Sequence, residues 1–184
     1  MKIFFLINLF VLLVAQTAVT AKEPKTLEWD NLMPPGYVES ILEQSLQQTP
    51  TESSFFDWDD NSDEAQKAYD ELKAKLSTAP IVPELNNQYV RLAGFLVPLD
   101  FDFDTETFSE FLLVPYFGAC IHTPPPPSNQ IVHITSKEAL NQEWLDYAVW
   151  ASGILSTKSK DSIQGFAGYS MQDVSLQEYT EEDE

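Results

Sequence analysis

Cysteine is nearly absent from this chain: Cys120 stands alone, so no intramolecular disulfide can staple the fold and its stability has to come from a packed core. Histidine is almost as scarce. His122 and His133 are the only two, which confines imidazole acid–base or metal chemistry to those positions. Basic residues are few as well. Ten Lys and Arg against 29 Asp and Glu leave a formal net charge of −19, a charge that repels nucleic acid and anionic lipid and favours cations or a basic partner. No glycine-rich phosphate loop, serine–histidine–aspartate arrangement or internal repeat is present.

Long apolar runs are also missing, except at the start. Lys2 precedes the mostly apolar run Ile3 to Ala15, and small and polar residues follow as far as Val19-Thr20-Ala21. A basic start, a short apolar helix and small residues at the end form the three-part plan of a secretory signal. Asn8, Gln16, Thr17 and Thr20 argue against the competing reading, an uncleaved anchor, because a spanning helix needs about 20 mostly apolar residues. No cysteine lies near the expected cleavage point after Ala21, which rules out a lipoprotein-type anchor. The expected location is therefore the bacterial periplasm.

The expected organisation is a signal peptide over 1–21, an N-terminal helical and linker segment over 22–79, a β domain over 80–179 and an acidic tail over 180–184. Val38, Ile41, Leu42 and Leu46 have helical spacing after Pro34-Pro35-Gly36. Phe55, Phe56 and Trp58 among acids read as a docked linker. A second helix is expected from Asn61 or Ser62 to about Leu76, with Ala65, Ala68, Tyr69, Leu72 and Leu76 on one face.

Strands are expected at Tyr89 to Leu99, Glu110 to Phe117, Gln130 to Thr135, Tyr147 to Leu155 and Gly168 to Tyr179. The first changes parity between Val90/Leu92 and Phe95/Val97/Leu99, which points to a bulge or sharp bend at Gly94. The last changes between Tyr169/Met171 and Val174/Leu176, which points to a bulge around Gln172 and Asp173. Thr135 and Glu138 form a capping-box pattern before a short helix through Trp144. Strand, strand, strand, helix, strand, strand is the order of a small OB-like barrel, here preceded by an N-terminal helical segment. An open α+β sheet is the alternative.

The most unusual stretch is Val114-Pro115-Tyr116-Phe117-Gly118-Ala119-Cys120-Ile121-His122-Thr123, followed by Pro124 to Pro127 and Ser128-Asn129-Gln130. Four consecutive prolines hold an extended, stiff geometry that can fix the residues on either side of them. This stretch, together with Val90-Arg91-Leu92-Ala93-Gly94-Phe95-Leu96-Val97-Pro98-Leu99, Trp29-Asp30-Asn31-Leu32-Met33-Pro34-Pro35-Gly36 and the Ala167-Gly168-Tyr169 ending, resembles domain-of-unknown-function family 3299, a group of exported bacterial proteins without an established activity. Some members are encoded beside ABC-transporter components, including sets linked to zinc supply. The resemblance thus implies an accessory role in envelope transport, with a transporter or other membrane protein as partner.

Tyr116, Phe117, Asn129 and Gln130 are the candidate binding residues of this segment. Cys120 and His122, two apart in an extended segment, point to the same side, and thiolate and imidazole suit zinc; His133 is the candidate third ligand. Burial of the cysteine and backbone bonding of the histidine compete with that reading. A thiol enzyme with Cys120 as nucleophile and a histidine as base is the alternative function, although no residue to orient the base is assignable.

Two further patterns favour plain structural roles. Asp100-Phe101-Asp102-Phe103-Asp104 with Glu106 is similar to a calcium loop, but Thr105 stands where glycine is needed and Phe111 where the closing glutamate belongs. A solvated hairpin whose phenylalanines reach the core is expected instead. Trp144, Tyr147, Trp150 and Phe166 could line a ligand face, yet core packing explains them better. The reading as a whole is a periplasmic, non-enzymatic binding or accessory protein. Mass spectrometry of the protein from the periplasmic fraction is expected to find a chain beginning at Lys22; a full-length chain in the membrane fraction would contradict this.

Overall fold

The computed structural model describes residues 23–40, 43, 63–119, 126–162 and 164–180. The expected signal peptide, the linker aromatics, most of the first expected helix and the end of the tail lie outside the described residues, and so do Cys120 and His122. Strand β1 is Lys25–Leu27, and helix α1 is Asp63–Ser77. They are followed by β2 (Gln88–Pro98), β3 (Thr107–Val114), β4 (Val132–Asn141), β5 (Val149–Ser156), β6 (Lys160–Ser162), β7 (Gly165–Ala167) and β8 (Tyr169–Glu178). Helix α1 begins and ends close to where the acids, the lysines and Pro80 put it. Leu72 on its apolar face remains 41% exposed.

Five strands close into a barrel in the order β2-β3-β4-β8-β5, with β5 returning to β2. The first half of β2 pairs antiparallel with β5, from Gln88↔Leu155 to Gly94↔Val149. Its second half pairs with β3, from Phe95↔Val114 to Pro98↔Phe111. The only parallel contact in the ring joins β4 to β8, with Val132 opposite Tyr169. This is the OB-like arrangement that the strand order implied. Strand β1 adds a parallel pairing to the first half of β2, Lys25↔Val90 to Leu27↔Leu92.

The barrel interior is filled by Val90, Leu92, Leu96, Phe108, Phe111, Leu113, Val132, Ile134, Val149, Ala151, Leu155, Tyr169 and Met171, all buried. Outside the wall, Val97, Leu112, Val114, Ala119, Ile131 and Ala167 form a second buried cluster, with Phe95 and Leu99 against it. The near-continuous apolar run of β3 is thereby explained. Alternate residues face the interior, and the others face a second cluster covered by chain on both sides of the proline run.

The same two clusters correct the reading of β2. Its pairing with β5 runs through Gly94 without a shift, so the change in parity marks two apolar faces and no bulge. Gly94 is needed for another reason. A Cβ there would lie 2.6 Å from the Val114 carbonyl oxygen and 3.0 Å from the Trp29 ring. The bulge expected in β8 is present: its pairing with β5 slips between Ser152/Ile154, and Asp173 adopts φ 51°.

The capping-box helix is replaced by strand. Thr135 and Glu138 lie within β4, and helical structure is confined to a 3-10 turn at Gln142–Leu145. Pairing of Thr135 with Glu110 and of Leu140 with Phe108 along β3 outweighs a local cap, and three extra residues between these pairs loop out as a large irregularity.

The Asp100 hairpin takes its carboxylates for itself. Asp100 accepts hydrogen bonds from the Ser109 and Glu110 backbone at 2.9 and 2.8 Å and from the Ser109 hydroxyl at 2.6 Å. Partial burial alone would raise its pKa, but these donors together hold it below the usual carboxylate range. Asp102 Oδ1 accepts from the Asp104 and Thr105 amides at 2.8 and 3.2 Å. Phe101 packs against the core and stacks on Phe108. Phe103 does not reach it, being 86% exposed.

The N-terminal segment is sewn to the barrel. The Trp29 indole donates to the Ala93 carbonyl at 2.7 Å. The hydroxyl of Tyr169, buried inside the barrel, donates to the Leu32 carbonyl at 2.9 Å and accepts from the Val82 amide at 2.7 Å. Gly94→Ala pushes a methyl group into the Val114 backbone beside this seam. Its expected destabilisation is about 1–3 kcal/mol, read from urea unfolding; an unchanged midpoint would contradict the close approach.

Candidate functional site

The stretch singled out by the sequence is mounted on the outer cluster. Val114 ends β3 inside that cluster, Ala119 is buried in it, and Ile131 re-enters it before β4. Between these anchors Tyr116 is 54% and Phe117 71% exposed. The Phe117 ring stands edge-on to Phe95, with centroids 5.8 Å apart, so its direction is set by packing while most of its surface meets solvent.

The far end of the stretch is a buried 3-10 turn, Ser128–Gln130. The Asn129 amide donates to the Pro80 carbonyl at 2.8 Å, and the Gln130 amide to the Trp29 carbonyl at 3.0 Å. The Ser128 carbonyl accepts from the Gly168 amide at 2.7 Å. Asn129 is fully buried, and its Oδ1 has no hydrogen-bond partner. Of the four candidate binding residues, the two aromatics therefore present themselves to solvent. The two amides bind the turn to the chain at Trp29 and Pro80.

His133 is buried on the outward face of β4, away from Val132 and Ile134. Its Nε2 lies 2.7 Å from Glu110 Oε1, and the Lys160 ammonium approaches the same carboxylate oxygen at 3.8 Å. One of its two ring nitrogens is thus engaged by a carboxylate. Among the described residues no group of three or more His, Cys, Asp or Glu side chains is placed to hold a metal ion.

The aromatic candidates on the other side of the barrel divide. Trp144 and Tyr147 contact each other at 5.9 Å and pack against the main core. Trp150 points outward, covered by Tyr179 at 5.3 Å and by the Arg91 guanidinium at 4.4 Å from its ring, a cation–π contact. Arg91 also donates to the Thr26 hydroxyl at 2.7 Å, which ties β1 to this wall.

Sequence reasoning missed the lysines around His133. Lys137, Lys158 and Lys160 are three of only four basic residues beyond position 80, and all three line one groove with His133. Scarcity itself was the available signal.

Residues 29–178 match the family model described as a protein of unknown function, DUF3299. Among solved structures, the chain is similar to the crystal structure of a DUF3299 family protein from Pseudomonas aeruginosa PAO1. Identity is 31% and the TM-score 0.59, over 86% of this chain and 99% of that one. No curated protein matches the chain. With this barrel, these motifs and a match over most of its length, the chain belongs to the DUF3299 family of proteins of unknown function.

Proposed function

We propose that this chain is an exported binding or accessory protein of the bacterial envelope, and that the Tyr116 to Gln130 segment is its recognition surface. One observation carries this: two neighbouring aromatic side chains, Tyr116 and Phe117, are largely exposed on a stretch whose two ends are buried and hydrogen-bonded. Exposed aromatics on a firm base lose little entropy on contact and bury a large area, which is why such residues anchor protein interfaces. A partner in envelope transport suits the export signal, and the excess of acids over bases turns nucleic acid away.

Zinc handling enters through the family resemblance. Cys120 and His122 would have to supply it, with His133 joining only by giving up Glu110 or by using its other ring nitrogen. The aromatic pair is therefore the better supported point of contact.

Site-specific photo-crosslinking in the native cell tests the recognition surface. A benzophenone side chain in place of Phe117 in the full chain is expected to give a discrete adduct with an envelope protein, and one in place of Lys73 on α1 is expected to give none. The same adducts from both positions, or none from Phe117, would overturn the assignment.

A further inference from the structure

A groove of about 550 Å³ lies between β4, β8 and the chain entering β6. Lys137, Lys158 and Lys160 line it, together with His133, Ser159, Ser170 and Asp173. Parallel pairing sets His133 opposite Ser170, and the β6–β7 hairpin carries Lys160. Residues far apart in the chain thus gather three ammonium groups at one place in a protein whose net charge is −19.

The local carboxylates balance part of that charge. Asp173, turned by the β8 bulge, meets the Lys137 ammonium at 2.7 Å, and Glu110 lies 3.8 Å from that of Lys160. Lys158 makes no side-chain hydrogen bond or ion pair among the described residues, and neither do the hydroxyls of Ser159 and Ser170. Three lysines against the two carboxylates that touch them leave one positive charge in excess among these side chains, with unpaired donors on Lys158, Ser159 and Ser170 along the same groove. Mutual repulsion of the ammonium groups falls when an anion enters.

We infer that this groove binds a small soluble compound through a phosphate group. Lysine acts as a point charge suited to a multiply charged phosphate, whereas planar carboxylates are matched by the arginine fork, and no arginine lines the groove. The acidic surface elsewhere disfavours approach to an anionic membrane, so the phosphate belongs to a soluble molecule and not to a lipid headgroup. The groove uses none of the residues of the Tyr116 to Gln130 surface, and its occupation stands independently of that proposal.

Inorganic phosphate is the probe, titrated into the mature protein by calorimetry and thermal denaturation at constant ionic strength. Wild type is expected to show saturable binding and a rise in melting temperature. Lys158→Gln/Lys160→Gln is expected to bind at least about tenfold more weakly, while Lys67→Gln/Lys73→Gln on α1 binds as wild type. Circular dichroism of the exposed-lysine variants confirms that both are folded. Phosphate acting no differently from chloride, equal binding by the groove variant, or acetate binding as well as phosphate would each overturn the inference. Cosedimentation with phosphatidylcholine vesicles containing phosphatidic acid, lost in the groove variant, would overturn the assignment to a soluble compound.

Discussion

The buried hydroxyl of Tyr169 is the point at which three distant parts of the chain meet. It bonds to Leu32 and to Val82, so the N-terminal segment, the stretch leading into β2 and the start of β8 share one oxygen atom. Burial raises the pKa of this phenol, which keeps it protonated and able to donate. Both of its partners are backbone groups that would otherwise be left unpaired. The neighbouring Gly168 amide holds the Ser128 carbonyl, and Gln130 holds Trp29. The seat of the proposed recognition segment is thus continuous with the seam made by Tyr169.

This seam explains why a closed barrel carries apolar residues on both faces of β3. Phe111 and Leu113 complete the interior, while Leu112 and Val114 need a cover. The cover comes from chain on both sides of the proline run, and Tyr116 and Phe117 emerge where it leaves the wall. Packing that stabilises the barrel therefore also orients the exposed aromatics, and with one cysteine in the chain no intramolecular disulfide contributes to that orientation.

Much of the barrel was legible in the sequence because short-range rules coincide with the long-range result. Period-two alternation marked the strands, charge bias marked both ends of α1, and the parity change at Gln172 and Asp173 marked a real bulge. The comparable change in β2 had a different cause, two apolar faces, which periodicity alone does not distinguish from a bulge. At Thr135 and Glu138 a local capping pattern lost to pairing with β3. Alternation places Phe103 in the core because it does not reveal where a hairpin leaves the barrel. The lysine groove left no local pattern at all, since the parallel pairing of β4 with β8 and the β6–β7 hairpin bring its residues together only in three dimensions.

Tyr169→Phe removes a single oxygen while preserving the ring that fills the barrel, and urea unfolding of this variant tests the seam most directly. With Leu32 and Val82 left unpaired, the account predicts a loss of about 1–3 kcal/mol, followed by both tryptophan fluorescence and far-ultraviolet circular dichroism. A midpoint equal to that of the wild type would show that the hydroxyl does not hold the N-terminal segment to the barrel.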